Sequence, residues 1–254
     1  MDIPEYADLW GADLAERYDA DDAEMFAPEV LDPVLDLLER LADGGAALEL
    51  AIGTGRVGVA LHARGVPVSG IELSEPMVAQ LRAKLDEAAL PVVVGDMATA
   101  RVPGEFSVVY LVYNTITNLL TQDAQVACFA NAARHLRPGG AFVVECFVPP
   151  LRQLPPGQDA APFHVSAEHV GIDTVDVATQ LLTSHHFSLE PDGSYRRGES
   201  RHRYAWPAEM DLMARLAGMT LAERWADWDR SAYTSESGKH VSVWRTSPSS
   251  PPHS

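Results

Sequence analysis

In the first 150 residues, short apolar runs and helical stripes take turns along the chain, and this alternation constrains the fold more than any other feature. Leu31, Val34, Leu35, Leu38 and Leu41 fall at i, i+3, i+4, i+7 and i+10, one helical face that stops at Gly44-Gly45, where a left-handed residue ends helices well. Residues 46–52 form a short apolar run around Glu49, break into Gly53-Thr54-Gly55, and give way to a helix-compatible pattern over 57–62. Further runs at 67–73, 91–94, 106–112 and 141–147 predict strands, the last one after the turn Pro138-Gly139-Gly140, while 77–85 and 123–136 predict helices. Strands joined through helices need crossover connections, which are right-handed and build a parallel sheet. The expected fold class is α/β, a doubly wound and mostly parallel sheet. Such sheets bind ligands beyond the carboxyl ends of their strands, where strand order reverses.

The grammar changes after Pro149-Pro150 and Pro155-Pro156. Residues 163–206 lack helical periodicity and are rich in Val, Thr, His, Tyr and Arg, so an antiparallel β insert is expected over about 151–206. Val175, Val177, Thr179, Leu181, Thr183, His185, Phe187 and Leu189 alternate onto one face of a single long strand, which Pro191-Asp192-Gly193 turns. A helix resumes at Pro207 and ends at Gly218, and strands follow at 219–225 and 240–244. Residues 1–246 are expected to form one domain carrying this insert, and 247–254, with three prolines and four serines, a disordered tail.

Charge narrows the partners. With 36 acids against 19 bases the chain carries −17, and residues 1–43 alone hold 14 acids against Arg17 and Arg40. No basic footprint exists for DNA, RNA or an anionic membrane, whereas a cationic ligand is suited. Cys128 and Cys146 stand apart in apolar surroundings, without CxxC or a Cys/His cluster, so no disulfide framework and no metal site are expected. The start lacks the basic and apolar regions of a signal peptide, and no apolar run reaches the ~18 residues of a membrane span. A cytoplasmic protein is expected, and the exposed edges of the insert are compatible with a homodimer.

Gly53-Thr54-Gly55-Arg56-Val57-Gly58 matches GxGxxG, the turn that in dinucleotide sites sets a pyrophosphate on a helix N-terminus. Glu49, four residues before Gly53, opposes a diphosphate there and favours a positively charged ligand. S-adenosylmethionine (SAM), with an ammonium and a sulfonium and no phosphate, is such a ligand. The stretch Leu48-Glu49-Leu50-Ala51-Ile52-Gly53-Thr54-Gly55 resembles the first motif of the class I, Rossmann-type methyltransferases. The resemblance continues in Ile71-Glu72-Leu73-Ser74, Gly95-Asp96-Met97 and Leu136-Arg137-Pro138-Gly139-Gly140, and covers roughly residues 6–147. Its closest flavour is the bacterial small-molecule enzymes. One departure is Ala51, where the family most often carries glycine.

The resemblance implies SAM as cofactor and assigns roles. Glu49 would orient the methionine end, and Gly53 and Gly55 would let the backbone approach the cofactor. Glu72 would accept hydrogen bonds from both ribose hydroxyls, Asp96 would accept from the adenine amino group, and Leu73 and Met97 would sandwich the ring. Tyr18 resembles an N-terminal tyrosine that folds over the cofactor. Asn114, after the fourth strand, would face the reacting methyl group, able to donate and accept. Among the histidines of the insert, His185 and His186 point to opposite faces of one strand. His186, sharing its face with Gln180 and Ser184, is the candidate general base for a hydroxyl acceptor. The expected function is methyl transfer to N or O of a small-molecule acceptor, with a nicotinamide-dinucleotide oxidoreductase and a non-catalytic cofactor-binding or scaffold protein as alternatives.

Overall fold

The computed structural model describes residues 11–248. Its helices are α1 (Ala12–Asp21), α2 (Pro28–Ala42), α3 (Arg56–Ala63), α4 (Glu75–Arg82), α5 (Gln122–His135) and α6 (Pro207–Leu216). Strands β1 (Ala47–Leu50), β2 (Val68–Glu72), β3 (Val92–Val94), β4 (Phe106–Leu111) and β5 (Leu136–Phe147) precede the insert, which holds β6 (Ala160–Val165), β7 (His169–Asp176), β8 (Leu181–Leu189) and β9 (Tyr195–Arg203). Strands β10 (Met219–Trp225) and β11 (Lys239–Thr246) follow α6. The seven-stranded sheet runs β10-β11-β5-β4-β1-β2-β3, parallel throughout except where β11 pairs with β5 and β10. From β1 the chain steps outward to β3, then returns to lay β4 on the other side of β1, so strand order reverses between β1 and β4 and leaves a crevice there.

Strand β4 shows why the sheet needs helices on both faces. All six of its residues are buried; Val108 and Tyr110 pack with Leu38 of α2 and Val57 of α3, whereas Val109 and Leu111 pack with Phe129 of α5 and Met213 of α6. Side chains alternate across a strand, so a continuous apolar run is what a doubly covered parallel strand requires.

The insert forms its own four-stranded antiparallel sheet, β6-β7-β8-β9. Its root is tied down by Arg203, 4% exposed, which donates to Glu209 (2.8 Å), Gln180 Oε1 (2.7 Å) and Gln125 Oε1 (2.5 Å). The single long strand expected over 175–189 is instead a hairpin. Asp176 accepts from Ala178 N–H (2.9 Å) and Thr179 Oγ1–H (2.7 Å), and Gln180 turns the chain at φ +58°. That side-chain-stabilised turn replaces extended backbone without any glycine or proline to announce it. Strand β5 also begins earlier than expected, taking in Pro138-Gly139-Gly140 through a register shift against β4. Helix α1 was not foreseen by periodicity, because Ala15 is its one buried residue.

Ala51 leads out of β1 at φ +54°. A Cβ in the left-handed region costs roughly 1–2 kcal/mol, more than the backbone entropy that glycine adds to the unfolded chain. Ala51→Gly is therefore expected to raise stability by up to about 1 kcal/mol, seen as a higher melting temperature; a lower one would contradict this reading of the turn.

Candidate active site

The crevice at the carboxyl ends of β1 to β4 is floored by glycine turns and acids. Glu72 closes β2 at 6% exposure; its Oε2 accepts from Gly53 N–H (2.7 Å) and its Oε1 from Ser74 N–H (2.8 Å). Burial pushes its carboxyl above the usual range, opposed by those backbone donors. Gly53 takes φ +59° with open space where a Cβ would stand, so its backbone lies bare to a ligand. Gly55, at φ +86°, caps α3. Glu72, Leu73, Asp96, Met97, Gly53 and Tyr18 line one cavity with Ile71 and Met77. Asp96 Oδ1 accepts from Ala98 N–H (2.8 Å), and buried Asn131 holds the Met97 carbonyl (2.9 Å). Two buried or half-buried carboxylates among apolar walls, with a bare glycine backbone between them, fit a nucleoside bearing hydroxyls and an amino group.

Glu49 sits deeper, 3% exposed on β1. Its Oε2 accepts from the Tyr110 hydroxyl (3.0 Å), and the Gly58 amide also donates to it. A Cβ on Gly58 would stand 2.7 Å from that same oxygen, which explains the third glycine of the motif. Burial pushes the Glu49 carboxyl up to about 8, with Tyr110, Arg56 and Gly58 pulling the other way.

A second and larger chamber adjoins the first, sharing Tyr18, Ala51, Gly53, Thr115 and Asn118 with it. Glu49 lines this chamber, as do Asn114 and His186, whereas Gly55 lines neither. Tyr113 and Asn114 both take positive φ, +57° and +61°. Asn114 Oδ1 accepts from Phe147 N–H at 2.7 Å, so this oxygen ties the β4 exit to the end of β5 and its amide N–H groups are what it can offer a ligand.

The insert supplies the chamber's far wall. Pairing of Asp173 with Ser184, Ser184 with Ser200, and Leu182 with His202 puts these side chains on one face with His186, and all of them line the chamber. His186 Nδ1 lies 3.2 Å from His169 Nε2, their rings stacked at 5.3 Å. His185 turns the opposite way, to Thr174 Oγ1 (3.1 Å) and Glu199 (3.5 Å). Gln180 stands in the turn before β8 and donates to the Tyr204 carbonyl (3.2 Å) and Glu209 (2.9 Å), so it does not share the His186 face as expected. His202 is one of the histidines of the insert that the sequence offers, passed over there for His186; its distinguishing signal is the i, i+2 spacing to Ser200, readable only once β8 and β9 are paired.

Over the crevice runs α1. Thr54 Oγ1–H donates to Asp19 (2.5 Å), Lys84 pairs with Asp19 and donates to the Thr54 carbonyl (2.9 Å), and the Tyr113 hydroxyl donates to Asp22 (3.3 Å). Arg56 reaches the Met25 carbonyl (3.3 Å) beneath the Tyr113 ring. Tyr18 is half-buried by this arrangement, and desolvation raises its hydroxyl pKa. Among the described residues no three His, Cys, Asp or Glu side chains converge to hold a metal, and no helix is long and apolar enough to cross a membrane.

Comparison with known proteins agrees with this geometry. The family model described as a methyltransferase domain matches residues 47–140. The structure of the CcbJ methyltransferase from Streptomyces caelestis is 36% identical, with a TM-score of 0.82 covering 94% of this chain and 98% of that one. Cypemycin N-terminal methyltransferase from a Streptomyces species is 28% identical over 207 residues, 80% of this chain and 84% of the relative. SAM-bound CalS10, an amino pentose methyltransferase from Micromonospora echinaspora, shares the fold at TM-score 0.66 and 21% identity, covering 85% and 91% of the two chains. The chain belongs to the class I, SAM-dependent methyltransferases. It is an enzyme with SAM as its methyl donor, which sets aside the dinucleotide oxidoreductase and the non-catalytic alternatives.

Proposed function

We propose that the enzyme methylates a nitrogen of a small-molecule amine, working in the cytoplasm as one domain over residues 1–246 whose insert, 151–206, roofs the acceptor. Residues 1–10 of the expected domain and 249–254 of the expected tail lie outside the described residues. The observation that carries this reading is the junction of the two cavities, where a crevice suited to the cofactor opens into a polar chamber walled by Asp173, Ser184, Ser200, His186 and His202. The chain's net charge of −17 favours a cationic amine and disfavours nucleic acid or an anionic membrane. Cypemycin N-terminal methyltransferase and the amino pentose methyltransferase are named for amine acceptors. The open edges of the inserted sheet, β6 and β9, suit pairing with a second copy.

SAM supplies a methyl group already activated on a sulfonium. In this proposal Glu72 holds the ribose hydroxyls, Asp96 the adenine amino group, Leu73 and Met97 the ring faces, and Glu49 the cationic methionine end. Gly53 keeps the approach clear, Gly55 lets α3 close against Leu81, Tyr18 covers the site, and Asn114 and His186 face the acceptor. Holding the acceptor in line supplies several kcal/mol through proximity alone. The test is incubation with [methyl-14C]SAM and a panel of glucosamine, dTDP-linked 3-amino and 4-amino deoxysugars and short peptides with free amino termini. Label on the amine nitrogen is the expected result; label on hydroxyls alone overturns the reading.

A further inference from the structure

We propose that His202, in place of His186, receives the acceptor's proton, with Thr117 fixing its tautomer; this rests on the amine reading above. Thr117 is 1% exposed and spends its hydroxyl hydrogen on the Asn114 carbonyl at 2.8 Å. Its oxygen can then only accept from His202 Nδ1, 3.2 Å away. Nδ1 therefore carries the imidazole hydrogen, and Nε2 presents a lone pair, which takes the Ser200 hydroxyl at 3.1 Å. Neutral histidine has one donor and one acceptor nitrogen, so this network leaves a base of fixed orientation inside the chamber. Thr117 belongs to the turn Thr115–Asn118, whose Thr115 and Asn118 also line the cofactor crevice. His202 is thus the histidine bonded to the element that joins the two cavities, whereas His186 shares its Nδ1 with His169.

Burial holds His202 below the usual histidine range, keeping it neutral near pH 7, while the Asp173 carboxylate nearby favours its protonated form once a proton arrives. An acceptor that arrives as an ammonium has no lone pair and first gives up one proton to the bulk buffer; the neutral amine's N–H then replaces the Ser200 hydroxyl at Nε2 and turns the nitrogen lone pair away, toward the methyl carbon. As the N–C bond forms, the C–S bond breaks with its electron pair left on sulfur, and the proton released from nitrogen passes to Nε2. Charge balances: the positive charge lost from sulfur ends on the His202 imidazolium.

The first test needs no acceptor. Two-bond proton–nitrogen correlation spectra of 15N-histidine-labelled enzyme saturated with S-adenosylhomocysteine, assigned with His202→Gln, should show His202 neutral and protonated on Nδ1. Thr117→Ser should keep that signature and Thr117→Val should lose it; an Nε2-protonated His202 in the unmodified enzyme overturns the proposal. The second test measures turnover on the amine panel. His202→Gln should lower kcat about a hundredfold with S-adenosylhomocysteine affinity unchanged, and His185→Gln, on the opposite face, should turn over normally. Full turnover by His202→Gln, or a loss confined to His186→Gln, overturns it as well. A panel giving no product defeats the amine reading instead, and the tautomer spectra still decide the role of His202.

Discussion

Replacing Glu72 with alanine is expected to weaken SAM binding by at least a hundredfold. In the proposed role its carboxylate accepts from two ribose hydroxyls, each charge-assisted bond contributing about 1.5–3 kcal/mol, and about 1.4 kcal/mol is tenfold in affinity. The structure adds a second loss. The same two oxygens hold Gly53 N–H and Ser74 N–H, so alanine also leaves two inward-facing amides unsatisfied and loosens the glycine turn on which the ligand rests. Glu72→Gln keeps one accepting oxygen and should fall in between. Calorimetric titration with SAM checks the order, and a thermal melt of each variant separates lost binding from lost folding. Unchanged affinity in the alanine variant would remove Glu72 from the cofactor's partners.

The second large effect is on pH dependence. Burial pushes the Glu49 carboxyl up to about 8. The groups facing it are the Tyr110 hydroxyl from β4, the Gly58 amide and Arg56 from α3, and Glu72 from β2. At pH 7 Glu49 therefore holds a proton, and in the proposed role the cationic methionine end of SAM must drive that proton off to gain the carboxylate. The sign follows: SAM affinity rises with pH up to about 8 and levels above it. Below that point each pH unit costs up to about tenfold, until the carboxyl pKa of the bound form is passed. Titrations in buffers of different ionisation enthalpy should register proton release on binding near neutral pH. Glu49→Gln should remove this component of the pH dependence and the release together, whatever the ligand's own titration contributes to both proteins.

The sheet and the crevice were legible in the sequence because their determinants are local. Apolar runs, the glycine turn at 53–55 and polar residues at strand ends are neighbours along the chain, and they assembled at one strand-order reversal. Helix α1 was not legible, since its contacts run through Asp19 and Asp22 to Thr54, Lys84 and Tyr113, distant residues with no pattern of their own. The hairpin at Asp176 was hidden because Gln180 takes the left-handed conformation that a glycine or asparagine would have signalled. What sets His202 apart from His186 was hidden for a third reason: it depends on a strand register and on Thr117, 85 positions away.

The way α1 crosses the crevice has a kinetic consequence. A helix burying only Ala15 gains little from apolar packing, so the free energy that keeps it down lies mainly in an ion pair and a few hydrogen bonds at the rim. The Lys84–Asp19 pair is partly exposed, so it weakens as salt rises. Tyr18 sits on this helix and lines both cavities, so, if the cavities hold cofactor and acceptor as proposed, exchange of spent cofactor and departure of methylated product are expected to share one gate. On the proposed site, the dwell time of both is expected to shorten as ionic strength rises, through the Lys84–Asp19 pair, while the fit of the adenosine and the acceptor is expected to change little.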